Sequence, residues 1–289
     1  MSNGTQFSPT KQTELEHFWF DSRIWNDFQY RDGDIVIDTF PKCGTTWMQQ
    51  IIAQLIFNGV ENIQINRISP WLDFRFNKDL FGSDEKLLQE LEQQTHRRFI
   101  KTHLPFHALV YSLQAKYIFV ARDGRDVACS SYNHQINMTV TDSKKPNSVH
   151  EVFQNEILGN SNMSFFAHLR SWWNMRHLAN ILFIHYYQLK TDLPNEIKRI
   201  ATFLDIDIDP SRWNDILQHC SFDYMQANAD RMVDNTMYVG GARTFFCKGT
   251  NNQWKGILTD EDSTNYQKRV REELDDEGAR WILTGELTE

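Results

Sequence analysis

Little in this sequence favours a disulfide scaffold, a membrane span or a nucleic-acid binder. Its four cysteines, Cys43, Cys129, Cys220 and Cys247, include no C-x-x-C pair. That speaks against a disulfide framework and against a zinc site. No apolar run approaches the roughly 18–20 residues of a membrane-spanning helix. Met1-Ser2-Asn3-Gly4-Thr5-Gln6 has no basic region followed by an apolar core, so no signal peptide is expected. These absences predict a soluble protein of a reducing, cytoplasmic compartment. Positive charge is also in deficit, with 30 Lys and Arg against 38 Asp and Glu and a net charge of −8. Bulk electrostatics then disfavour nucleic acid or an anionic membrane as partner. An anionic ligand would need a locally basic site. Repeats, low-complexity tracts and Gly/Ser linkers are absent as well. The expectation is a single α/β domain over 1–289, and 289 residues with 40% apolar and 13% aromatic content suffice for one large core.

What is present centres on Thr39-Phe40-Pro41-Lys42-Cys43-Gly44-Thr45-Thr46-Trp47. Asp34 to Asp38 before it reads as a buried strand, and Trp47 to Ile56 after it as a helix. A strand that turns through Pro and Gly into a helix opening with two Thr is a phosphate cradle. Loop N–H groups and the helix N-terminus both favour an anion, and Lys42 adds a mobile positive charge. The pattern is close to a Walker A loop, G-x-x-x-x-G-K-[ST], without being one. Here the Lys precedes the Gly and the loop is shorter.

Further strands are expected at Arg98–His103, Lys116–Ala121 and Asn180–Tyr186. Helices are expected at Asp84–Gln94, from about Val127, at Ser148–Leu158, Ser164–His177 and Pro194–Leu204, and finally at Asp260–Trp281. Strands alternating with helices predict a central parallel sheet flanked by helices. Ligands bind such sheets at the carboxyl ends of the strands. Lys42, His103 and Arg122 each fall at such an end. The aromatics Phe165, Phe166, Trp172 and Trp173, with Leu169 between them, read as core at their helical spacing. The early cluster Phe18, Trp19, Phe20, Trp25, Phe28 and Tyr30 reads either as a packing lid or as one wall of an acceptor pocket. The polar stretch Met138–Asn147 reads as a loop.

Three cationic points emerge: Lys42 in the loop, Arg122 with Ser130, and Lys248-Gly249. One phosphate does not need three anchors, whereas a nucleotide with phosphates at both ends of its ribose does. No apolar strand ending in Asp follows the loop to hold magnesium, which weighs against a kinase or NTPase. His103, two residues past Lys101, suits the abstraction of a proton from a hydroxyl at neutral pH.

On these residues the chain resembles the cytosolic-type PAPS-dependent sulfotransferases. Thr39–Trp47 is similar to their T-Y-P-K-S-G-T-T-W loop. Lys101-Thr102-His103-Leu104-Pro105 matches K-T-H-L-P, and Val120-Ala121-Arg122 with Ser130 eight residues on matches the 3′-phosphate motif. Lys248-Gly249 followed by Trp254-Lys255 resembles R-K-G-x-x-x-x-W-K. The likeness covers about Asp34 to Thr259. It implies transfer of a sulfuryl group from PAPS (3′-phosphoadenosine 5′-phosphosulfate) to a hydroxyl or amine of a small-molecule acceptor, with PAP as product and no metal. By position it implies His103 as general base, Lys42 as leaving-group stabiliser and Lys101 as an assistant in the transition state. It places Lys42, Cys43, Gly44, Thr45 and Thr46 at the 5′-phosphate, and Arg122, Ser130, Lys248 and Gly249 at the 3′-phosphate. Trp47, Tyr186, Cys220 and Phe222 fall at the adenine. It also divides the chain into an N-terminal lid or acceptor-side segment at 1–33, a cofactor-binding and catalytic core at 34–259 and a C-terminal helix at 260–289.

The departures are equally specific. Cys43 stands for the Ser that, in the family, restrains the Lys. A thiol beside a cationic loop and a helix N-terminus is expected to have a lowered pKa and to be sensitive to oxidation. Cys247 stands for an Arg, so the expectation is either that Arg243 or Lys255 substitutes or that PAPS binds more weakly. The family's dimer motif is degraded between Lys255 and Thr264, so a monomer or weak dimer is expected. Two rivals stay open at the level of sequence: a non-catalytic PAP- or PAPS-binding relative, and a P-loop kinase.

Overall fold

The computed structural model describes residues 9–140, 144–160 and 164–287. The N-terminal hexapeptide read for a signal, and part of the 138–147 loop, lie outside them. Four parallel strands form one sheet: β1 (Ile35–Thr39), β2 (Phe99–Thr102), β3 (Lys116–Ala121) and β4 (Ile181–His185). Their order is β2-β1-β3-β4. The chain moves from β1 to one side and then returns past it to the other, so β1 marks the switch point. At such a point a crevice opens beyond the strand's carboxyl end.

The strands are apolar on both sides because both sides are covered. Val36, Ile100, Tyr117, Phe119 and Phe183 enter one core layer, whereas Ile35, Ile37, Phe99, Ile118 and Ile184 enter the other. The helices supply the opposing surfaces: α1 (Thr45–Ile56), α2 (Asp84–Gln93), α3 (Gly124–Asn137), α4 (Phe165–Trp173), α5 (Tyr186–Thr191), α6 (Leu193–Phe203), α7 (Phe222–Ala227), α8 (Asp260–Glu273) and α9 (Asp276–Thr284). Met48, Ile51 and Ile52 of α1 pack beside Ile197 and Ile200 of α6. On the opposite face, Trp172 of α4 stacks on Phe119, with centroids 5.3 Å apart at 15°. The helical aromatics expected to be core are core. Among the described residues no helix is long and apolar enough to cross a membrane.

Two expected helices differ. The stretch expected as a helix at Ser148–Leu158 is a short α-turn, Val149–Val152, that widens into a π-turn, Phe153–Ile157. The expected helix Asp260–Trp281 is two helices. Leu274 is extended, and the Asp275 carboxylate caps α9 at Gly278 while also accepting from Trp173 Nε1 at 3.0 Å. The break turns Trp281 back onto Trp173, with rings 5.2 Å apart and nearly parallel. The start of α8 carries a capping box, Thr259 with Asp262, inside the degraded dimer motif.

Burial also reassigns two cysteines. Cys43 is 1% exposed in the core beneath the loop, and burial pushes its thiol up to about 12 despite the nearby Arg122. The expected low pKa is therefore corrected: desolvation of the thiolate outweighs the cationic surroundings. Cys220 is also wholly buried, and burial raises its thiol too. Cys247 is exposed. Brief alkylation of the native protein with iodoacetamide, mapped by mass spectrometry, is expected to mark Cys247 and spare Cys43 and Cys220. Labelling of Cys43 at the rate of Cys247 would contradict this burial.

Asp38 of β1 is fully buried, with His168 Nε2 3.0 Å from its Oδ1. Burial, with Asp73 nearby, holds its carboxyl well above the usual range. Burial, with His103 and His107 nearby, holds the His168 imidazole at about 3. Folded Asp38 thus keeps a proton that the unfolded chain loses above about pH 4. Folding then takes up a proton, and this contribution to stability falls as pH rises. Urea unfolding of Asp38→Asn, which lacks that titration, is expected to gain on wild type between about pH 4 and 7; parallel pH curves would show that folded Asp38 is ionised.

Candidate active site

At the carboxyl end of β1 the chain turns through Pro41, and Lys42 takes a positive φ of 72°. Gly44, at φ 114°, is the N-cap of α1, and no side chain caps that helix. The first-turn N–H groups are left for another acceptor. A Cβ on Gly44 would lie 2.9 Å from the Tyr186 ring, so the backbone approaches closely only as glycine. Gly44, Thr45, Thr46, Trp47 and Lys42 all line a cavity of about 590 Å³.

His103 follows β2. The parallel register pairs Asp38 with Thr102, which brings Thr39 beside His103. His103 Nδ1 lies 2.7 Å from the Thr39 carbonyl, an acceptor only, so Nδ1 carries the proton. Nε2 is left with the lone pair. Burial, with Lys101 and Lys42 nearby, holds the imidazole at about 3, hence neutral. Trp71 packs edge-on against the ring at 4.8 Å. Burial lowers Lys101 to about 8, against the pull of Asp73. Burial, then Arg122 and Lys101, lowers Lys42 to about 7.

Arg122 follows β3. Its guanidinium donates to the carbonyls of Lys42 at 3.3 Å and Thr250 at 3.0 Å, and stacks 4.1 Å over Tyr186. Its Nε is buried with no hydrogen-bond partner among the described residues. A buried, unpaired N–H on a cation marks a place for an anion. Ser130 on α3 and Lys248 and Gly249 line the same cavity. Gly249 has φ 59°, and a Cβ there would strike Phe222 at 2.3 Å. Trp47 donates to the Cys220 carbonyl at 2.8 Å and meets Tyr186 edge-on at 5.5 Å.

The structure thus gathers Lys42, Gly44, Thr45, Thr46, Trp47, Lys101 and His103 around one cavity. Arg122, Ser130, Tyr186, Phe222, Lys248 and Gly249 line it too. Cys43 and Cys220 do not line it. Cys43 turns into the core, and Cys220 serves Trp47 through its carbonyl. Neither Arg243 nor Lys255, the expected substitutes at position 247, lines it, while Cys247 itself does. The N-terminal aromatics divide. Trp19 and Phe20 line the cavity beside Trp71 and Phe74, whereas Trp25 and Phe28 are buried beneath them.

Sequence reasoning missed His134, Tyr238 and Asp73. His134 lines the cavity one helical turn after Ser130 on α3, so the i, i+4 spacing was a usable signal. Tyr238 and Asp73 carried none. Asp73 accepts from Trp25 Nε1 at 2.7 Å, and from Trp71 and Thr102, tying the N-terminal segment to β2.

Comparison with known proteins follows the same lines. A family model described as "Sulfotransferase domain" matches residues 32–278. Sulfotransferase 1B1 of Mus musculus is 33% identical, over 81% of this chain and 80% of its own. The glycolipid sulfotransferase of Mycobacterium bovis (strain BCG / Pasteur 1173P2) is 28% identical over 92% of each. The crystal structure of mouse sulfotransferase SULT7A1 complexed with PAP shares the fold, with a TM-score of 0.72 at 23% identity over 92% of this chain and 93% of that one. The chain therefore belongs to the sulfotransferase domain family and is a PAPS-dependent sulfotransferase.

Proposed function

We propose that the chain moves the sulfuryl group of PAPS onto a hydroxyl, or an amine, of a small-molecule acceptor through the residues gathered in this cavity. The observation that carries the assignment is the tautomer of His103. Its Nδ1–H is committed to the Thr39 carbonyl, so Nε2 receives the proton as the acceptor oxygen attacks sulfur. The bond from sulfur to the bridging phosphate oxygen breaks as the new bond from sulfur to the acceptor oxygen forms. Lys42 then meets the charge that gathers on the bridging oxygen. Lys101, which also lines the cavity, supports the same charge.

The residues present suit the ligand. The uncapped first turn of α1, with Gly44, Thr45 and Thr46, receives the 5′-phosphate. Arg122, Ser130, Lys248 and Gly249 receive the 3′-phosphate, with the free Arg122 Nε as the clearest donor. Trp47, Tyr186 and Phe222 enclose the adenine. Positioning and charge stabilisation are the main demands of an in-line group transfer. His103 is a weak base while it is buried beside Lys101 and Lys42. A bound phosphosulfate offsets their charge and raises its basicity.

The acceptor end has two flanks. Trp19, Phe20, Trp71 and Phe74 form an aromatic one. Ser131, Gln135 and Glu156, joined by hydrogen bonds, form a polar one. That combination supports an aromatic alcohol or phenol, or a natural product with an apolar body and a polar or cationic group. The chain is expected to act as a monomer or weak dimer.

His103→Ala is expected to lower kcat by roughly 10²–10⁴ while leaving PAP affinity, measured by calorimetry, unchanged. Sulfation that survives the substitution would refute the base assignment. The pH profile gives a second check. In the free enzyme Lys42 loses its proton near pH 7, and only its charged form favours the anion. kcat/KM for PAPS is expected to fall as pH rises through about 7, with no acid limb down to about pH 5 because His103 stays neutral. A profile flat from about pH 6 to 9 would contradict the role of Lys42.

A further inference from the structure

Lys42 does not stand free in the cavity. Its Nζ lies 3.3 Å from His134 Nδ1 and 3.8 Å from the centre of the Phe245 ring. The same His134 Nδ1 lies 3.3 Å from the Tyr238 hydroxyl. Both neighbours bring hydrogens to give. An ammonium can only donate, so beside charged Lys42 the Nδ1 atom holds the lone pair, to which the Tyr238 hydroxyl can also donate, and His134 carries its proton on Nε2. This is the opposite tautomer to His103, whose Nδ1 donates. Burial, with Lys42, His103 and Lys101 close by, keeps His134 neutral by lowering its pKa well below the usual value.

Resting on the functional reading above, we propose that His134 is the positioning residue for Lys42: its Nδ1 lone pair orients the ammonium and favours the charged form in the ligand-free enzyme, and Tyr238 competes for the same lone pair. A lone pair and a ring face each favour the charged lysine. The groups that act against or beside them are all on the cavity wall. Arg122, from the end of β3, and Lys101, on β2, are cations that oppose the charge. Cys247, on the far segment, favours it. His103 is neutral. Lys248 also lines the cavity. Without His134 the balance among these groups tips toward the free amine. Cys43, the loop residue beside Lys42 in sequence, lies in the core and takes no part.

The two partners of Nδ1 make the proposal testable through opposite signs. The titration of Lys42 is read by NMR of isotope-labelled lysine side chains, its signal assigned by loss in Lys42→Arg. His134→Phe removes the lone pair and keeps an aromatic ring. The titration is then expected to fall by about one pH unit, the scale of one hydrogen bond to a charged group. His134→Gln, whose amide oxygen can accept, is expected to restore most of it. Tyr238→Phe frees the lone pair for Lys42 and is expected to raise it. General loosening of the site cannot move the titration in both directions. An unchanged titration in His134→Phe, a His134→Gln protein that behaves like His134→Phe, or a fall in Tyr238→Phe would each overturn the proposal. Calorimetric binding of PAP to the wild-type chain separates this from the functional reading. A chain that binds no PAP refutes that reading, while the lysine titration still decides the role of His134.

Discussion

The site hangs on one hydrogen bond, from His103 Nδ1 to the carbonyl of Thr39. It joins the ends of two neighbouring strands just where the ladder stops. Thr39 is the last residue of β1, and Pro105 keeps the segment after β2 from continuing as a ladder strand. The register that pairs Asp38 with Thr102 sets the donor and acceptor side by side. A one-residue slip would carry the imidazole to the other face of the sheet. The same Thr39 meets Thr45 through its hydroxyl at 2.7 Å, so the His103 ring and the Lys42–Thr46 loop share an anchor. Ring orientation, tautomer and loop position are therefore one constraint.

Around that anchor the protein gathers positive charge at odds with its overall balance of −8. Lys42, Lys101 and Arg122 line one cavity, and no acidic side chain is paired with Lys42 among the described residues. Removing such cations from water is unfavourable, which is why burial lowers Lys42 to about 7 and Lys101 to about 8 even with Asp73 nearby. A dianionic group entering the cavity relieves this. The acidic exterior does not oppose the arrangement, because exposed charges are screened within about 10 Å at 0.1 M salt whereas buried ones are not. Affinity for the nucleotide and discomfort of the empty site are the same electrostatic fact.

Much of this was legible because the loop, the strand ends and their order recur as contiguous words in the sequence. Lys42, His103 and Arg122 each terminate a run of β-branched and aromatic residues, and parallel topology brings such ends together. What was not legible depended on direction. Cys43 and Gly44 are adjacent, yet one faces the core and the other the cavity. Position in a motif does not say which way a side chain points once φ turns positive at Lys42. Cys220, expected at the adenine, does not line the cavity and meets Trp47 through its carbonyl, which no residue identity reveals. The break at Leu274 was hidden because charged residues on both sides keep a helical pattern. Only the burial of Trp281 against Trp173 explains the turn.

Asp73 shows how the acceptor side is tied to the chemistry. Its carboxylate takes hydrogen bonds from Trp25, beneath the N-terminal aromatic wall, from Trp71, which packs on His103, and from Thr102, the residue before His103. Burial raises it to about 6, so it sits near the point of protonation while holding three donors. Two oxygens serving three donors leave little freedom to shift one without the others. The aromatic wall, the face of the imidazole and the strand that carries it therefore move as a unit. On the other side, from a segment far along the chain, Phe245 packs under the Lys42 ammonium and Tyr238 meets His134, the neighbour of Lys42. His103 and Lys42 are thus held between two such clamps, one through Asp73, Trp71 and Thr102 and one through His134 and Phe245, so that the aromatic wall, the imidazole and the ammonium are fixed relative to one another.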